Sequence, residues 1–271
     1  MQSSFHKDFI FEQLLHRGHG ESESRSLVSI LPNGLSSRRD PRWKRATGPN
    51  LRTTLVYGSA PSRGLEGLLE IAWPAIYAQA RDVLGLDLRL RVLYGFPASV
   101  QQQYRKSMGS ERFTQWLKHM VEVLLTQPGV EYVGSVDHAR LAAEYAAAGF
   151  VLYPTAFAET GCITILKAMS CGAVPITSRF VGSVLPNLTA GWDLGPARQL
   201  QFGDDLGHWL LHHYVPAVLQ AVNASIDMHR ADMIKHARTR HLWSLSAKIL
   251  EREMSGKGVT RRRKHPFFWW L

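Results

Sequence analysis

Cysteine is scarce in this sequence: Cys162 and Cys171 are the only two in 271 residues. They stand nine apart across what reads as one short helix, which turns their side chains to different places and argues against a disulfide between them. No apolar run reaches the roughly 18 residues that a membrane-crossing helix requires. The opening stretch MQSSFHKDFIFEQL is polar and charged where a secretory leader would be apolar. These absences together set the expectation of a reducing, cytoplasmic compartment, in which the sequons Asn187-Leu188-Thr189 and Asn223-Ala224-Ser225 are irrelevant. No internal repeat is present. The 12 histidines are scattered, and neither His212-His213 nor His236 with His241 has a companion ligand set, so no metal site is expected.

Acidic residues are also in short supply, 22 against 32 Lys and Arg, for a net charge of +10. A chain this basic favours anionic partners: nucleic acid, acidic lipid or phosphorylated small molecules. Two basic clusters stand out, Arg38 to Arg45 (RRDPRWKR) and Arg261 to Lys264 (RRRK). Both lie in stretches with no periodic pattern, which reads as a solvated loop and a frayed tail. The tail TRRRKHPFFWWL adds Phe267, Phe268, Trp269 and Trp270 to its basic residues, a composition that can touch an anionic membrane surface or stack on single-stranded nucleic acid. Being short and terminal, it is expected to be disordered or packed against the body, and nucleic acid is not the favoured partner.

What is plentiful is alternation. With 45% hydrophobic and 20% charged residues the chain can build a sizeable core. Strand runs at TTLVYGS, LRLRVLYG (Leu88 to Gly95), VEYVG (Val130 to Gly134), FVLYP (Phe150 to Pro154) and AVPITS (Ala173 to Ser178) alternate with stretches of helical spacing. The helices are expected over Gly64 to Asp82, Val100 to Leu125 with a break near Gly109, and His138 to Ala148 with Asp137 as N-cap. Further helices are expected over Asp204 to Ser225 and Asp227 to Met254. Before Thr53 the pattern predicts a helix from His6 to Leu15 and a strand SLVSI running into LPNG. Continuous apolar strands between amphipathic helices predict an α/β, Rossmann-like doubly wound parallel sheet covered on both faces, followed by C-terminal helices. In such sheets ligands bind at the carboxyl ends of the strands, here Gly58 to Arg63, Gly95 to Pro97, Gly134 to His138 and Thr155 to Gly161.

The stretch ETGCITILKAMSCGAVPITS places a helix mouth directly after one of those ends. Unsatisfied N–H groups and the helix dipole make such a mouth receptive to an anion or to the hydroxyls of a polar ligand. On spacing alone, Glu159 either accepts hydrogen bonds from such hydroxyls or merely complements the dipole.

The order P-T-x-x-x-E-x-G-C-I-x-x-L-K-A-M-S-C-G-A-V-P-I-T-S resembles the donor-binding signature of the retaining GT-B glycosyltransferases, family 4 or "glycosyl transferases group 1" type. LPNGL (Leu31 to Leu35) is similar to the opening of that family's C-terminal domain. YGSAPSRGLEGLLEIAWP resembles its first strand and helix, and HARTRHLWSLSAKILE its closing helix. The matches run in order from about Ser26 to Glu251, which is more specific than any one glycine-rich loop. The resemblance implies that Arg63 pairs with the diphosphate of a nucleotide-sugar and that Glu159 holds sugar hydroxyls. It implies further that the N–H groups of Thr160, Gly161 and Cys162 line the sugar pocket, that Ile163 and Thr164 sit against the phosphates, and that Gly134 lies near the base. No metal or other cofactor is needed in that scheme, since Arg63 and the helix dipole take the charge; the sequence has no Asp-x-Asp.

Departures from the family pattern are specific. Lys167 stands eight residues after Glu159, where the resemblance places a second Glu on the ribose hydroxyls. Thr160 and Cys162 replace two glycines, and Gly58-Ser59 replaces a Gly-Arg. Set against the family pattern, the sequence is expected to hold only the second of its two halves, with Ser3 to Ile10 resembling the last segment of the N-terminal, acceptor-binding one. The expected division is 1–25 as remnant and linker, 26–255 as the nucleotide-sugar-binding domain and 256–271 as tail. The implied activity is transfer of a hexose from a UDP- or GDP-sugar with retention, by a chain that carries the donor half and is completed, if at all, by an N-terminal-half partner chain. The alternative is a non-catalytic sugar-nucleotide-binding or regulatory remnant.

Overall fold

Five runs of apolar residues form parallel strands: β1 (Thr54–Tyr57), β2 (Arg89–Leu93), β3 (Val130–Gly134), β4 (Phe150–Tyr153) and β5 (Val174–Thr177), joined in the order β3-β2-β1-β4-β5. They belong to a computed structural model that describes residues 4–27, 29–35, 51–224 and 227–255. The basic run Arg38 to Arg45 and the tail from residue 256, with its proposed membrane contact, lie outside the described residues. No helix among those described is long and apolar enough to cross a membrane.

The order fixes the layers. From β1 the chain steps outward to β2 and β3, then crosses back to β4 and on to β5; with right-handed crossovers, the two sets of connecting helices fall on opposite faces. One layer packs the Trp73–Leu84 helix against Val215–Asn223, and the other packs Ile163–Cys171 between His138–Ala147 and Asp227–Arg240. The expected doubly wound fold is therefore present. Two π-helical turns, Leu68–Ala72 and Leu210–Tyr214, each precede a helix with proline in its first turn, where a widened turn accommodates the missing N–H.

β4 and the edge strand β5 are buried at every residue, as continuous apolar runs require. β2 and β3, on the other side of β1, depart from the expected coverage on both faces. Along β2, Arg89 is exposed and Arg91 half-buried between the buried Leu90 and Val92, the alternation of a strand with one helix-covered face. Arg91 pairs in register with Glu131 of β3 and binds it, while its other nitrogens bind the buried Glu144 of the His138–Ala147 helix at 2.5 and 2.9 Å.

Two further expectations need correction. The strand predicted at SLVSI is not formed: Ser26 and Leu27 end the Glu21–Leu27 helix, and Ser29 and Ile30 have no regular structure. Acidic residues in that helix's first turn and the Arg25–Glu21 pair at 2.9 Å, one turn apart, favour helix there. The predicted Asp227 to Met254 helix is two, Asp227–Arg240 and Trp243–Met254, because Leu242 turns to an extended conformation and pairs with Leu35. That pairing, with Leu35 N donating to His241 O at 2.8 Å and Ser246 Oγ to Pro32 O at 2.7 Å, ties LPNGL to the C-terminal helices.

Candidate functional site

β1 and β4 are neighbours from which the chain leaves in opposite directions, so the loops beyond their carboxyl ends frame a crevice. On the β1 side a 3-10 turn, Pro61–Arg63, carries Arg63, and the Tyr57 hydroxyl holds the turn by donating to Ala60 O at 2.7 Å. Gly64 closes it with φ 96°, and a Cβ there would stand 2.3 Å from Pro154 O. Only glycine lets the Arg63 turn come this close to the end of β4.

Arg63 Nε donates to Glu159 Oε1 at 2.8 Å, and the Tyr153 hydroxyl donates to the same oxygen at 2.7 Å. Glu159 is 8% exposed. Its second carboxylate oxygen takes no hydrogen bond among the described residues, so it is the one available to a ligand. The Arg63 guanidinium carbon lies 3.7 Å above the Phe157 ring, a stacked arrangement that fixes its plane. Burial first, then the neighbouring Cys162 and the Glu159 charge, push the Tyr153 hydroxyl far above its usual range, so it keeps its proton and remains a donor. Burial, then Glu159, likewise push the Cys162 thiol up to about 12, which leaves it neutral and not nucleophilic. Cys171 is also a free, buried thiol, as expected of the pair.

The loop from β4 is anchored at both sides of the carboxylate. Val184 N donates to Glu159 O at 2.7 Å, and Asn33 Nδ2, from LPNGL, donates to Gly161 O at 2.8 Å. The Ile163–Cys171 helix then starts, with Cys162 at φ −82°, an ordinary conformation that does not need the glycine of the family pattern.

An open cavity of about 360 Å³ lies here, with Arg63, Tyr153 and Glu159 in its wall. Of the residues expected at the site, Arg63, Glu159, Gly161, Cys162, Ile163 and Thr164 line it. Thr160 belongs to the same loop without lining the cavity. Gly134 and Lys167 stand apart from it: Gly134 ends β3, where its carbonyl accepts from Tyr94 N at 2.9 Å, and Lys167 Nζ lies 3.3 Å from His138 Nδ1. Sequence reasoning missed Tyr153, Phe157, Asn33, Tyr94 and Gln103. The one available signal was LPNG, read as a boundary and not as a contributor to the site. Tyr94 has φ 90°, a left-handed conformation that costs a bulky residue on the order of 1–3 kcal/mol.

The arrangement supplies a guanidinium, a helix N-terminus and an oriented carboxylate around one space, which suits a ligand that is anionic at one end and hydroxyl-bearing at the other. Among the described residues no group of three or more His, Cys, Asp or Glu is placed to hold a metal ion.

No protein-family profile matches the chain, and no curated protein matches it. Solved structures do. The pneumococcal O-GlcNAc transferase GtfA, in complex with UDP and GlcNAc, aligns with a TM-score of 0.59 and 12% identity over 95% of this chain and 45% of its own. The catalytic domain of starch synthase IV from Arabidopsis thaliana, bound to ADP and acarbose, gives 0.57 and 14% over 94% and 54%. Sucrose-phosphate synthase from Thermosynechococcus elongatus gives 0.54 and 15% over 95% and 57%. These are GT-B glycosyltransferases, and the likeness bears out, at the level of fold, the resemblance carried by the signature residues. The chain spans about half the length of these structures: 57%, 45% and 54%.

Proposed function

We propose that residues 26–255 are the donor half of a retaining hexosyltransferase and bind a UDP- or GDP-sugar in the cavity between β1 and β4. The observation that carries this is the Arg63–Glu159 pair at the switch point, beside the mouth of the Ile163–Cys171 helix. Arg63 spends Nε on Glu159 and keeps further N–H groups for the diphosphate, whose departure it stabilises as the sugar becomes oxocarbenium-like. Glu159 positions the sugar through its hydroxyls, held in place by Tyr153. The acceptor side, and an N-terminal-half partner chain to supply it, are part of this proposal. The free thiols of Cys162 and Cys171 agree with a cytoplasmic setting.

A second reading, a non-catalytic sugar-nucleotide-binding or regulatory protein, is favoured by Lys167, which cannot accept from ribose hydroxyls as a carboxylate does. Titration of the purified chain with UDP, GDP, ADP and their sugars, with Glu159→Ala and Arg63→Ala as controls, tests both. Absence of binding at millimolar concentration overturns the donor-site reading; binding without transfer or hydrolysis, in the presence of candidate acceptors, favours the second.

A further inference from the structure

Three non-glycine residues among those described hold a positive φ, Tyr94, Arg179 and Ala190, and of these Tyr94 alone lines the cavity. It directly follows β2, and its N–H, bonded to Gly134 O at 2.9 Å, ties it to the end of β3. Its side chain is 40% exposed, and its ring has no aromatic or hydrogen-bonding partner among the described residues. A large ring kept in a conformation suited to glycine, without packing that explains it, is a feature maintained against stability.

The strand order says what the ring is for. Across the sheet stand β4, whose loop carries Glu159, then β1, whose loop carries Arg63, then β2 with Tyr94. A ligand with its sugar at Glu159 and its diphosphate at Arg63 meets Tyr94 with its third part. We propose that Tyr94 is the stacking platform for the nucleobase of the donor, a specificity-determining residue for planar heterocycles; this rests on the donor-site reading. An aromatic face stacks on any base, so it selects nucleotides over bare diphosphates more than one base over another.

The test is calorimetric titration of the full chain, as wild type, Tyr94→Phe, Tyr94→Gly and Tyr94→Asn, with UDP, ADP and inorganic pyrophosphate, alongside melting temperatures. Glycine and asparagine tolerate a positive φ. Both ringless variants should therefore melt no lower than wild type, bind UDP and ADP at least about fivefold more weakly, and bind pyrophosphate unchanged. Tyr94→Phe should bind all three like wild type. Equal nucleotide affinity in wild type and the ringless variants, or a parallel loss of pyrophosphate affinity, overturns the role of Tyr94 and leaves the donor site standing. A wild-type chain that binds neither nucleotide nor pyrophosphate overturns both.

Discussion

The Lys167 ammonium lies 3.3 Å from Nδ1 of His138, a residue 29 positions earlier and the first of the helix that follows β3. A cation thus faces the rim where the resemblance to GT-B transferases places a carboxylate. Lys167→Glu separates an altered pocket from a decayed one. In an altered pocket that uses the ammonium, nucleotide affinity falls by about tenfold, the loss of one hydrogen bond to a charged group. Unchanged or improved UDP affinity in the variant marks the site as decayed.

Two substitutions dissect the carboxylate. Arg63→Ala removes the cation and should weaken both UDP and UDP-sugar by about 10- to 100-fold, corresponding to about 1.5–3 kcal/mol. Tyr153→Phe keeps the buried ring and removes only the hydroxyl 2.7 Å from Glu159. It should weaken the UDP-sugar several-fold while leaving UDP alone unchanged. If UDP weakens equally, Tyr153 acts on the general shape of the cavity and not on the sugar end.

Arg230 is buried, with Nε donating to Gly172 O at 2.8 Å and one terminal nitrogen to Ala148 O at 2.9 Å. These carbonyls precede β5 and β4, at the sheet edge opposite the cavity. Arg230→Met should cost about 2–4 kcal/mol by stranding them, read as a lower urea midpoint, with ligand affinity retained in the folded fraction. A loss below 0.5 kcal/mol, the scale of ordinary surface changes, would show that the clamp is dispensable.

His241 is held at about 4 by burial first and then by the neighbouring His236 and Arg240. Free imidazole titrates at about 6.5. Between the two values the unfolded chain takes up a proton that the folded chain refuses, so this contribution to stability is complete above about pH 6.5, declines as pH falls and levels off below about 4. Melting curves from neutral to acid pH should show the decline, and His241→Leu should flatten it. A decline identical in the variant would assign it to the carboxylates instead.

Much of this was legible in the sequence, for physical reasons that differ by element. β4 and β5 were legible because strands buried on both faces must be continuously apolar. Asp137 was legible because capping is local: it accepts from Arg140 N at 2.8 Å, three residues on. The half-bare β2 was harder, since its Arg91 gains its meaning from Glu131 and Glu144 in other elements. Tyr153 ends an apolar run and reads as core; its hydroxyl matters only because the loop returns Glu159 to it. Phe157 and the φ of Tyr94 depend wholly on tertiary placement. The break at Leu242 follows from Leu35, some two hundred residues earlier and without a local signal.

The Asn33 side chain spans two parts of the chain that the sheet itself does not connect. Its carboxamide is a tether from the LPNGL segment, which is fastened to the Trp243–Met254 helix, to the carbonyl of Gly161 beside the carboxylate. The loop that aims Glu159 is thus held on one side by a segment that is itself held by the C-terminal helices. The shape of the cavity wall is therefore set jointly by residues near the start and near the end of the described chain, through contacts that no strand of the sheet provides.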